Sequence, residues 1–257
     1  MLIKVGLLFL VAFLAYMQDF LGTTFIGRPL VSGWITGLVL GAPLQGLVMG
    51  AVLELVWMGL MEIGAAISLD IVAGGILGIA LAVWADGNIG FALLFALPAS
   101  ILGGILENFF YSKINSAYCR RAKEYIDRGQ LDKGARMHIA ASLFHPLAGA
   151  AMVALLFGMC AGWAQNLASF LPPTFLHGLS VAAMLLPAVG FATLLGMMLN
   201  KKTVPFFFLG FILAAALGLS MTAIVMIGCI AGGIMFILLS EIHQNTSGKE
   251  APADEDF

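Results

Sequence analysis

Gly50–Asp70 reads GAVLELVWMGLMEIGAAISLD, a run apolar enough for a membrane that nevertheless carries Glu54, Glu62 and Asp70. An ionised carboxylate at bilayer depth costs roughly 2.5–3.5 kcal/mol on insertion scales. Acids spaced so closely need partners, a wet cavity or an interface. On one continuous helix Glu54 and Glu62 fall about 80° apart at ~100° per residue. That places both on one wall of a cavity, with Trp57 and Met58 beside it. Gly64-Ala65-Ala66 then removes bulk, so that a neighbour or a ligand approaches the backbone closely.

Outward from this stretch the whole chain has the same character. Its 257 residues are 61% hydrophobic and 10% charged, with a mean hydropathy of +1.03. Soluble domains carry about 25% charged residues. The composition predicts an integral membrane protein, all-α because a helix satisfies its own backbone in lipid. A net charge of −2 gives no reason to expect a nucleic-acid partner. Cys119, Cys160 and Cys229 have neither metal-ligand spacing nor a paired framework, and no metal or cofactor is expected. The Lys4-led apolar run Met1–Met17 resembles a signal peptide but lacks a clear small-residue cleavage pattern, so it is expected to stay as structure.

Leu30–Leu40 is too short to span and carries Gly33, Gly37 and Gly41 at four-residue spacing, a stripe for close helix packing. With the break at Gly41-Ala42-Pro43 and the following Leu44–Met61, it forms a pair of half-elements. Interrupted segments of this kind point to binding sites in transporters. Residues 1–111 are thus an N-terminal membrane region of broken or re-entrant helices within a multi-span bundle. Residues 112–137 hold Lys113, Arg120, Arg121, Lys123, Arg128, Lys133 and Arg136, read as a basic loop on the cytoplasmic side. Residues 138–240 form a C-terminal membrane region of two spans, a return at Asn200-Lys201-Lys202, and an apolar run divided at Gly210 and Gly218. Residues 241–257 read as a cytoplasmic, acidic, disordered tail. The side of the N-terminus is left open.

Arg28-Pro29-Leu30, Leu53-Glu54-Leu55, Gly59–Ala66 with Asp70, Leu186–Phe191, Met197-Met198 and Pro205–Phe211 resemble, in joint order, the IIC membrane component of mannose-family sugar phosphotransferase systems. The resemblance covers nearly the whole chain. It implies a permease subunit with no catalysis of its own. Such a subunit pairs with a IID membrane subunit, assembles as a larger oligomer of IIC–IID pairs, and carries a hexose or amino sugar inward for phosphorylation by a cytoplasmic IIB protein. Mannose-type members often have Asn where this chain has Glu62, which shifts the expected sugar from mannose toward N-acetylgalactosamine.

The expected sugar-binding residues are Glu54, Glu62, Asp70, Asp19 and Trp57. A carboxylate accepts hydrogen bonds from two sugar hydroxyls, and an indole offers the ring an apolar face. Each has a plainer role beside it. Glu54 pairs with Arg28 or with IID, Asp70 caps the next helix, Asp19 marks an interface boundary, and Trp57 packs. His138, His145, His177 and His243 lack the surroundings of a phosphorylated nucleophile. Three other readings stand against transport of sugar: an ion-coupled secondary transporter, an intramembrane enzyme using Glu54, Glu62 and Asp70, and a scaffold whose acids only hold IID.

Overall fold

The computed structural model describes residues 1–18, 20–22, 24–60 and 69–247, which are helical with no strand. The expected break is present. Helix α2 (Pro29–Leu40) stops at Gly41, whose φ of 92° is the left-handed cap that glycine supplies most readily. Helix α3 (Pro43–Val56) resumes with proline in its first turn, where a missing N–H is harmless. At ~1.5 Å per residue the two run only about 18 and 21 Å, against ~30 Å of hydrocarbon core. They lie antiparallel, backbone against backbone. A Cβ on Gly37 would stand 3.0 Å from Gly46 Cα, and one on Gly33 3.1 Å from Gly50 Cα. Gly33 and Gly37 are thus the packing stripe, while Gly41 serves as the cap.

Residues 1–194 form one unit. Its centre is α4 (Ile71–Trp84), in which every residue from Val72 to Ala82 is buried. A helix apolar on all sides belongs inside a body, and Gly74 and Gly78 let α5 (Ile89–Phe109) lie directly against it. Helix α1 (Leu2–Tyr16) closes another side through Leu8, Ala12 and Ala15.

The segment expected as a basic loop is helical. Helix α5 passes through one π-type turn, Phe110–Asn115, into α6 (Ser116–Asp127). After Gly129 (φ 73°) the chain enters the 40-residue α7 (Leu131–Phe170). The polar residues sustain the helix, as in the Lys123–Asp127 pair at 3.0 Å, and Ile126 packs over Gly134 of α7. Pro98 and Pro146 lie inside α5 and α7 without ending them. Helix α8 (Pro173–Met198) completes the unit as far as Leu194.

The second unit, residues 195–257, contains α9 (Val204–Ala215) and α10 (Met221–Ser247), which pack on each other. Gly218, at φ 60°, divides the apolar run as expected, but Gly210 is an ordinary helical residue of α9 with open space around it. Helix α10 continues to Ser247, so the start of the expected disordered tail is helix. Among the described residues four helices are long and apolar enough to cross a membrane.

The single helix that was to present Glu54 and Glu62 on one wall does not form. Helix α3 ends at Val56, one 3₁₀ turn covers Trp57–Gly59, and Leu60 is extended at ψ 102°. The chain leaves helical geometry where Gly59 meets the backbone of Gly190 on α8, a contact with no room for a side chain.

Candidate functional site

Two clusters hold the predicted site residues that the structure describes. The first lies where α2 begins. Arg28 is extended (φ −68°, ψ 138°) ahead of Pro29, and its Nε stands 2.7 Å from Glu54 Oε1. The other carboxylate oxygen, Oε2, accepts from the amide of Leu30 at 3.3 Å. Glu54 therefore sits on α3 facing the positive end of α2, where the helix dipole favours an anion. The Glu54 side chain keeps 20% of its surface and that of Arg28 39%. A carboxylate offers about four lone-pair directions. Two are engaged here, which leaves acceptor capacity on a carboxylate that is one-fifth exposed.

The second cluster gathers at the start of α4. Asp70 is buried, and its Oδ1 caps the helix by accepting from Ala73 N at 2.9 Å. Its Oδ2 accepts from the Tyr16 hydroxyl at the end of α1. The amide of Asp70 donates to Ser100 O of α5 at 3.0 Å, and Gly103 clears the space that the carboxylate fills. This is the capping role weighed for Asp70 from sequence, with Tyr16 as an added partner.

Trp57 is 2% exposed, its ring edge against Gly74. Its Nε1–H has no partner among the described residues, as is also true of Thr36 Oγ1 and Ser100 Oγ. The indole is packed and offers no open face to a ring. Glu54 and Asp70 are held by different partners, Arg28 and Leu30 in one case, Tyr16 and Ala73 in the other. Glu62 and Asp19 lie outside the described residues. Among the described residues no three potential metal ligands come together.

Sequence reasoning missed Tyr16 and Ser100. Tyr16 had a legible signal, a phenol at the end of an apolar run, where its hydroxyl needs a partner once the ring is buried. Ser100 and Gly103 had none, because their significance depends on which turn of α5 faces Asp70.

The comparisons with known proteins agree with one another. The family profile described as the PTS system sorbose-specific IIC component matches residues 2–234. The mannose-specific EIIC component of Escherichia coli K12 is 29% identical over 253 residues, covering 98% of this chain and 94% of that protein. The N-acetylgalactosamine permease IIC component 1 of the same organism is 28% identical over 201 residues, 78% of this chain and 74% of that protein. A solved structure described only as a membrane protein superposes with a TM-score of 0.81 at 28% identity, covering 94% of this chain and 97% of that one. A second, the mannose transporter ManYZ in complex with microcin E492, gives 0.59 at 27% identity over 93% of this chain and 96% of that one.

Proposed function

Because the chain belongs to the sorbose-type IIC family of phosphotransferase-system components, an all-helical class of bacterial inner-membrane sugar permease subunits, we infer that it binds a single hexose or amino sugar at Glu54 and carries it inward. The observation that supports this is the Glu54 carboxylate. It is held by Arg28 and the Leu30 amide at the mouth of a half-length helix, and it retains exposed acceptor capacity. Glu62 and Asp19 are the further candidates to reach the same sugar. Asp70 and Trp57 act as supports: Asp70 holds α4 against α1 and α5, and Trp57 packs on Gly74 of α4. N-acetylgalactosamine is the preferred ligand and mannose the next, since Glu62 stands where the mannose-type pattern often has Asn.

The subunit works with a IID membrane partner, in an oligomer of IIC–IID pairs, and hands its sugar to a IIB phosphocarrier at the cytoplasmic face. Residues 112–137 face that side by the positive-inside rule. Sugar binding by the purified IIC–IID complex tests the reading, with mannose, glucose, fructose, N-acetylglucosamine and N-acetylgalactosamine in parallel. Glu54→Gln removes charge-assisted hydrogen bonds worth ~1.5–3 kcal/mol, so affinity falls roughly 10- to 150-fold while the complex stays assembled. Unchanged affinity would leave Glu54 as a mere partner of Arg28.

A further inference from the structure

A cavity of about 440 Å³ lies apart from Glu54, between the end of α1, the π-type turn and α7. Ligand pockets run ~300–1,000 Å³, so this one suits a monosaccharide. Its floor is aromatic and buried, with Tyr16 and Phe110 at 7% and 2% exposure. His145 stands among the rings, 5.4 Å from Tyr16, 5.6 Å from Phe110 and 5.6 Å from Tyr111 between centroids. Its mouth is polar and open, bordered by Asn115, His138 and Cys119. An aromatic floor under a rim of amide and imidazole groups matches the two faces of a pyranose, carbon–hydrogen edges below and hydroxyls around.

Two features set this cavity apart from an incidental gap. One wall is the Phe110–Asn115 π-type turn, a wound-out geometry that recurs at functional sites because it displaces carbonyls from the regular helical ladder. The floor residue Tyr16 also donates to Asp70, so the cavity is tied to the start of α4. The lining that the described residues supply is aromatic, amide, hydroxyl and imidazole, chemistry that suits the carbon–hydrogen face and hydroxyls of a neutral sugar.

We propose that this cavity is a second station for the neutral sugar, on the side of the membrane that carries the basic α6. The inference rests on the sugar-permease reading above. A sugar leaving the Glu54 region is held here, among Tyr16, Phe110, His145 and Asn115, before phosphorylation.

Cys119, exposed at the mouth, is a native reporter. The IIC–IID complex is alkylated with N-ethylmaleimide, and modification of Cys119 and Cys229 is followed by peptide mass spectrometry with and without the sugar that binds best in calorimetry. At about ten times its dissociation constant for the cavity, a sugar occupying it slows Cys119 alkylation about tenfold by mass action and leaves Cys229 unchanged. Asn115→Ala and Ser142→Trp, which strip and fill the cavity, each remove the protection while calorimetric binding persists. Calorimetric binding without protection of Cys119 overturns the second station and leaves the permease reading intact. Protection that survives both variants, or that glucose 6-phosphate gives and the neutral sugar does not, also overturns it. If no sugar binds in calorimetry, the permease reading fails first and the station with it.

Discussion

Tyr16 and Asp70 tie the end of α1 to the start of α4 inside the described core. Each is buried and each satisfies the other. Removing one partner of a buried hydrogen bond costs ~1–3 kcal/mol because the remaining group is left without solvent. Tyr16→Phe is therefore expected to lower stability by about that amount, read as a shift in thermal unfolding of the detergent-solubilised complex. Asp70→Asn, which keeps a capping oxygen, is expected to cost less than Asp70→Ala; equal losses would deny the cap its role. Arg28 and Glu54 behave differently. Glu54→Gln removes the charge that needed a partner and keeps an oxygen for the Leu30 amide, so it should move the melting temperature little while it removes sugar affinity. Arg28→Gln leaves the one-fifth-exposed carboxylate without its cation and should lower the melting temperature more. At this scale the sequence was legible wherever a charge interrupted an apolar run, since a carboxylate such as Glu54 or Asp70 in lipid-like surroundings demands a partner whatever the fold. It was silent on Ser100 and Gly103, whose chemistry is ordinary until α5 turns them toward Asp70.

Among the elements, the paired half-helices α2 and α3 are the most constrained. Pro29 O leaves no room for a Cβ at Gly50, and Gly33 O leaves none at Gly46. Forcing side chains into such contacts costs typically ~1–3 kcal/mol or more. Gly46→Val is expected to lower the yield of folded complex severely in size-exclusion chromatography. Gly162→Ala in α7, where nothing lies within 4 Å, should leave it unchanged or slightly raised; equal losses at both would mean that tight α2–α3 packing is not what these glycines provide. The hairpin was readable in advance because Gly41 and Pro43 punctuate it and its halves are too short to span. The end of α3 was not. Leu53 to Met61 is a largely apolar run without proline, and nothing in it signals that α3 gives way at Val56 to a 3₁₀ turn whose Gly59 meets Gly190, far along the chain. The helical α6 was hidden for a related reason. Local charge density reads as a solvated loop, yet Lys123–Asp127 and the Ile126 contact with Gly134 support a helix leaning on α7.

Over the whole molecule, α5 with its π-type turn and α6 run for 39 residues, Ile89–Asp127, or about 58 Å at ~1.5 Å per residue. Beside a hydrocarbon core of ~30 Å, such a helix carries its basic end well clear of the lipid. In intact cells a membrane-impermeant maleimide should leave Cys119 unlabelled until the membrane is permeabilised; labelling from outside would reverse the topology proposed for residues 112–137. The α2–α3 hairpin has one more consequence, an electrical one. A single helix carries about half an elementary charge at each end. Shifting a whole charge through 100 mV takes ~2.3 kcal/mol. Helices of 12 and 14 residues, antiparallel and in backbone contact, nearly cancel each other's dipoles. The closed hairpin is thus close to invisible to the transmembrane voltage, and the charges that feel the field are the side chains it carries, Arg28 and Glu54, themselves paired.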